Sequence, residues 1–158
     1  MNDPLPGATG HKRCCAAAAV REHGVVVGLD VAQRRRICLD GTKYQSCHAP
    51  DLPLADALVF VEHDNRRFYV PIELKSGKLD VSTVRIQLQN AANLEGDLGW
   101  KPGLPVEFRP TLVRLRKRQD PLVYQLLGDK RNWIRRRTGE MRRIDVKESG
   151  VQLSALCN

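Results

Sequence analysis

The chain has 158 residues and a formal net charge of +8 at pH 7, a length that fits one domain with a substantial core. No apolar stretch is long enough to span a bilayer, which excludes membrane embedding. The odd set of five cysteines, Cys14, Cys15, Cys38, Cys47 and Cys157, excludes a regular disulfide framework and points to a reducing, cytoplasmic location.

The charge is uneven. Residues 1–100 carry 12 basic and 12 acidic side chains, whereas residues 101–158 carry 14 basic and 6 acidic ones. A basic segment in an otherwise neutral chain suggests a polyanionic partner, nucleic acid first. A solvated basic surface without a partner has the same composition.

Residues 1–10 hold two prolines and two glycines and read as a loose arm, leaving residues 11–158 as a single domain. Residues 11–23 are alanine-rich and read as a helix stopped by Gly24, not as a targeting segment. Residues 25–31 and 36–40 read as strands. Residues 41–54 read as a loop from their Gly, Ser, His and Pro content.

Residues 55–75, ADALVFVEHDNRRFYVPIELK, organise the rest. Leu58 to Val61 form a short apolar run rich in β-formers. His63-Asp64-Asn65-Arg66 is a polar turn. Beyond it Phe68, Val70, Ile72 and Leu74 alternate with Tyr69, Pro71, Glu73 and Lys75. With that turn, Val61 pairs with Phe68, Val59 with Val70 and Ala57 with Ile72, which sets Asp56 opposite Glu73 at about 5 Å between β-carbons. A one-residue slip would separate the two carboxylates onto opposite faces. The apolar pattern is compatible with that slip too, because Leu58 and Phe60 could also face the core.

Two carboxylates and a lysine meeting at a strand end suggest a metal-assisted hydrolase. Hard oxygen ligands suit Mg²⁺ or Mn²⁺. The metal would polarise a phosphoryl oxygen and acidify a water. Lys75 would position that water or stabilise the charge growing on the phosphate. An E-x-K triplet alone is also what an exposed hairpin with ordinary surface charges carries.

Ser76-Gly77-Lys78 leaves the hairpin, and Asp80 or Ser82 can cap a helix reaching about Leu94. Its apolar stripe is Val81, Val84, Leu88, Ala91 and Ala92. Gln87 lies on one flank of the stripe, and Gln89 lies on the other, nearer solvent. Residues 105–115 make a further strand in which Pro110 forces an edge position or a bulge. Residues 122–127 are apolar. Residues 132–137 and 141–146 read as paired strands around Thr138-Gly139-Glu140.

Asp56, then Glu73-Leu74-Lys75, then a helix carrying Gln87 resembles the PD-(D/E)XK nuclease superfamily. The resemblance covers residues 25–114, with the specific part in residues 56–94. Ala55 stands where that motif often has proline. The resemblance implies an α/β, restriction-endonuclease-like fold with a mixed central β-sheet flanked by helices. It implies Mg²⁺-dependent hydrolysis of phosphodiester bonds, in DNA before RNA. Asp56 and Glu73 would be metal ligands, the Leu74 backbone carbonyl a third oxygen, and Lys75 and Gln87 further catalytic groups. An early helix can add an acid to such sites, which makes Glu22 a secondary candidate. Asp30 and Glu62 rank below it.

Arginine offers a planar fork for phosphate oxygens. The candidates for nucleic-acid contact are Arg114, Arg116, Lys117, Arg118, Arg135, Arg136, Arg137, Arg142 and Arg143. Trp133 beside one cluster could stack on a base or fill the core. A catalytically silent nucleic-acid-binding module, or a subunit of a larger nuclease or defence complex, is the alternative reading. A basic interaction protein in which the triplet is accidental is a third. Homodimer or larger complex is left open.

Overall fold

In the computed structural model, which describes residues 18–98, 105–116 and 120–158, the central hairpin is β4 (Ala57–His63) and β5 (Arg66–Lys75). Asp64 and Asn65 take positive φ of 49° and 59°, the backbone that a tight two-residue hairpin turn needs and that Asp and Asn tolerate. The turn fixes Val61 against Phe68, Val59 against Val70 and Ala57 against Ile72. This is the expected register without the slip.

Both faces of the hairpin are buried. Leu58, Phe60 and Tyr69 face α2 (Val81–Leu94), whose buried residues are Val81, Val84, Leu88, Ala91 and Ala92, the stripe read from the sequence. Asp80 caps α2 by accepting the Ser82 and Thr83 amides. Phe60 and Tyr69 stack at 4.5 Å, and the Tyr69 hydroxyl donates to the Ala91 carbonyl at 2.6 Å. That bond locks helix to sheet while satisfying a buried polar group. On the opposite face Phe68, Val70, Ile72 and Leu74 meet Val20, Val25 and Val27, together with Leu153 and Leu156.

The sheet is mixed, and its helices lie on its faces. Strand β3 (Arg36–Asp40) pairs antiparallel with β4. Strands β6 (Val106–Phe108) and β7 (Thr111–Arg114) both run parallel to β5, which they reach through α2. Strand β10 (Asp145–Glu148) runs parallel to β7. The order is β10-β7-β5-β4-β3. Among the described residues no helix is long and apolar enough to cross a membrane.

Four expectations need correction. The part of the predicted helix 11–23 that is described is strand: β1 (Ala19–Glu22) forms an antiparallel hairpin with β2 (Val25–Gly28). Positive φ at His23 and Gly24 makes the turn, and burial of Val20 against β2 outweighs alanine's helix propensity. Residues 41–54 are not all loop. Gly41–His48 is helix α1, capped by Asp40 and burying only Gly41 and Tyr44, so it has no apolar stripe to read. Pro110 inserts no residue, and the strand is an edge only before it, where β6 pairs with β5 alone, while β7 beyond it lies between β5 and β10. Pro110 splits one strand into β6 and β7, and its carbonyl accepts the Asp145 amide at 2.9 Å. Finally, β8 (Ile134–Arg135) and β9 (Met141–Arg142) pair over two residues each, and the chain beyond Ile144 joins the central sheet. The remaining helices are α3 (Pro121–Gly128) and α4 (Leu153–Leu156). The expected arm, residues 1–10, and Cys14, Cys15, Lys117 and Arg118 lie outside the described residues.

Candidate active site

Asp56 sits one residue before β4, where the β4–β5 ladder runs out. Its backbone carbonyl accepts the Gly41 amide at 2.7 Å, and its Oδ2 accepts the Leu74 amide at 2.7 Å. The side chain thus takes the place of a missing strand partner. In a strand the N–H and C=O of one residue point to the same side, so the Leu74 carbonyl is directed toward Asp56 as well. Glu73, next in the ladder, is 1% exposed, and its Oε1 lies 2.8 Å from the Lys75 ammonium. Glu73 Oε2 has no hydrogen-bond partner among the described residues.

The electrostatics are those of crowded carboxyls. Burial pushes Asp56 up to about 9, reinforced by a hydrogen bond with Glu22 and by the charge of Glu73, against the pull of the Leu74 amide. Burial also raises Glu73, partly offset by Lys75. For Lys75, burial acts downward but the Glu73 hydrogen bond and the nearby carboxylates win, so its value is raised. Glu22 therefore belongs to the group, although from strand β1 and not from a helix. Glu22, Asp40, Thr42 and Asp56 line an open cleft of about 270 Å³.

Gln87 is half-buried on α2, and its Oε1 is buried without a hydrogen-bond partner among the described residues. Gln89 instead makes two bonds with the Arg135 backbone, at 2.8 and 3.0 Å, and docks α2 on β8. Gln87, not Gln89, is the glutamine that the resemblance named.

The predicted basic residues separate. Arg114 is the parallel partner of Lys75. With Ser76, Leu115 and Arg116 these two line a cleft of about 270 Å³. Arg136 is not available to a phosphate. It is 9% exposed, its fork is held by Glu95 at 2.5 and 3.0 Å and by Glu140 at 2.8 Å, and it lies over the Phe108 ring. Three consecutive arginines on a short strand and its turn cannot share a face. Arg135 is exposed, Arg137 pairs with Asp97 at 3.2 Å and Arg142 with Glu140 at 2.6 Å. Arg143 is exposed beside Gly128. Trp133 is half-buried, its indole N–H donating to the Gly128 carbonyl at 3.2 Å. Asp30 accepts the Ser154 amide and hydroxyl, and Glu62 pairs with Arg35 and Arg67, all away from the cluster. Cys38 and Cys157 are buried, while Cys47 is exposed.

Sequence reasoning missed Gly41. A Cβ there would lie 1.8 Å from the Ala55 carbonyl oxygen, so only glycine lets α1 start against the backbone that carries Asp56. The Asp40-Gly41 pair after a strand was the available signal.

Among the described residues no group of three or more His, Cys, Asp or Glu side chains forms a ready-made metal cage. A two-carboxylate site completed by waters and substrate is the arrangement Mg²⁺ usually adopts. No family model, curated protein or solved structure matches this chain.

Proposed function

We propose that the chain is a Mg²⁺- or Mn²⁺-dependent nuclease, hydrolysing phosphodiester bonds in DNA before RNA, and that its resemblance to PD-(D/E)XK nucleases reflects that activity. The observation that carries the reading is the meeting of Asp56, Glu73 and Lys75 at one end of β4 and β5, with a buried Glu73 oxygen left unpaired. A buried carboxylate oxygen without a partner is costly. A hard divalent cation would satisfy it, and the oxygen-only donor set suits one.

Asp56 and Glu73 would hold the ion, with the Leu74 carbonyl directed to the same side and Glu22 near enough to add a carboxylate. The ion, when bound, supplies Lewis acidity and neutralises phosphoryl charge. The chain's own groups do the rest. Asp56 gives up its proton on occupancy, so proton and cation compete. Lys75, with its raised value, stays an ammonium, which suits it to donate to a phosphoryl oxygen and orient the attacking water, not to abstract a proton. Arg114 holds the neighbouring phosphate. Gln87 offers an unsatisfied amide oxygen to the water.

Plasmid, single-stranded DNA and RNA are each incubated with the protein in Mg²⁺ or in EDTA, beside Glu73→Gln. Cleavage that needs the metal and is lost in the variant supports the proposal. Undiminished cleavage in EDTA, or none on any substrate, refutes it.

A further inference from the structure

Arg114 stands between two clefts. One is shared with Lys75 and Ser76. The other has a volume of about 640 Å³, within the range of small-molecule sites. Its walls are Leu79 and Val81 at the start of α2 and Leu122, Val123 and Leu126 of α3. Leu122 is 65% exposed and Leu126 41%, so α3 turns apolar side chains toward open space. Two cations, Lys78 and Arg114, also line it, as do two carboxylates, Asp80 and Asp120. Both carboxylates are engaged as helix caps, accepting the Ser82, Thr83 and Val123 amides. Arg114 lines both clefts and so stands where they adjoin.

We propose that this second cleft is a nucleobase subsite, taking one unstacked base of the strand whose phosphate lies against Arg114 and Lys75. The inference rests on the nuclease reading and adds a preference to it. A base is flat, uncharged and apolar on its faces, which suits aliphatic walls. A phosphate has no apolar face to set against those walls. The Arg114 guanidinium, on the lining of both clefts, supplies the anion contact between them, so base and phosphate occupy adjoining clefts along one strand. Contact with a base face is tolerant of sequence. A base can enter only when unpaired or flipped, so single strands, ends and distorted duplexes are favoured over intact duplex.

The test uses fluorescein-labelled oligothymidylate and an abasic strand of equal length, measured by anisotropy in EDTA, with Mg²⁺-dependent cleavage assayed in parallel. Wild type should bind the base-bearing strand about tenfold tighter, the gain expected from burying roughly 50 Å² of apolar base face. Leu122→Ser and Leu126→Ser, at exposed positions, should bring the ratio near one and leave abasic binding unchanged. Arg114→Gln should weaken both strands. Equal binding of the two strands by a wild type that cleaves overturns the subsite alone. Neither binding nor cleavage overturns the subsite and the nuclease together. A dimer in sedimentation that Leu122→Ser dissolves assigns the groove to a second copy and also overturns the inference.

Discussion

Replacing Asp56 by Asn tests the central assignment by separating stability from activity. In the folded metal-free protein Asp56 is pushed from its ordinary 3.8 to about 9. In the unfolded chain it ionises normally. Between those two values the folded state binds more protons than the unfolded state, so stability falls as pH rises through that window. At 1.36 kcal/mol per unit, the burden is about 2 kcal/mol at pH 5 and about 4 kcal/mol at pH 7. Asparagine cannot ionise. Its oxygen still accepts the Leu74 amide, and its NH₂ can donate to Glu22 in place of the shared proton. The variant should therefore be more stable than wild type, by roughly 10 °C in Tm at pH 7 and by less at pH 5. It should also be inactive and unresponsive to Mg²⁺, whereas Mg²⁺ should raise the wild-type Tm. Melting curves from pH 5 to pH 8, with and without Mg²⁺, check this. A Tm difference that does not grow with pH, or a variant less stable than wild type at pH 7, would refute the buried-carboxyl argument.

Lys75→Ala should lower the cleavage rate by about a hundredfold or more while Mg²⁺ still binds. Without the ammonium Glu73 rises further, so the pH midpoint of Mg²⁺ binding, read by calorimetry, should move upward. Gly41→Ala should weaken Mg²⁺ binding and lower the Tm, because the new Cβ displaces the Ala55–Asp56 backbone. Gly77→Ala, which meets nothing within 4 Å, is the control and should stay within about 0.5 kcal/mol of wild type. Arg136→Ala should cost about 3 kcal/mol and close to 10 °C in Tm, since it strands Glu95 and Glu140. Arg114→Ala should leave the fold intact and reduce the log–log salt slope of DNA binding by about one. A Tm drop larger for Arg114→Ala than for Arg136→Ala would reverse their assigned roles.

Local chemistry made some of the fold legible. The hairpin followed from an alternating strand and a turn whose two central residues tolerate positive φ, and it offered Asp56 opposite Glu73, although a one-residue slip fitted the apolar pattern as well. The α2 stripe followed from helical periodicity, and its cap from Asp80. The same local rules misread residues 18–23, where alanine favoured a helix but Val20 gains more by packing against β2. They also missed α1, which has a capping aspartate but no apolar stripe.

The sequence by itself determined a hairpin over residues 55–75 and offered Asp56 opposite Glu73 in one of two registers, because strand pairing follows a short turn and a period of two; the structure holds that register. Only the tertiary structure decided what those residues experience. Glu22 joins the carboxyls because β1 folds back over the strand end, a contact between segments more than thirty residues apart. Asp56 and Glu73 are raised because helices and a hairpin bury both faces of the sheet, and burial is a sum over distant segments. Arg114 stands beside Lys75 because β7 runs parallel to β5. Arg136 is lost to phosphate because Glu95, from the end of α2, joins the near neighbour Glu140 in holding its fork. Charge runs show how many cations a chain has, but whether a distant carboxylate such as Glu95 or Asp97 closes on one of them is set by long-range packing.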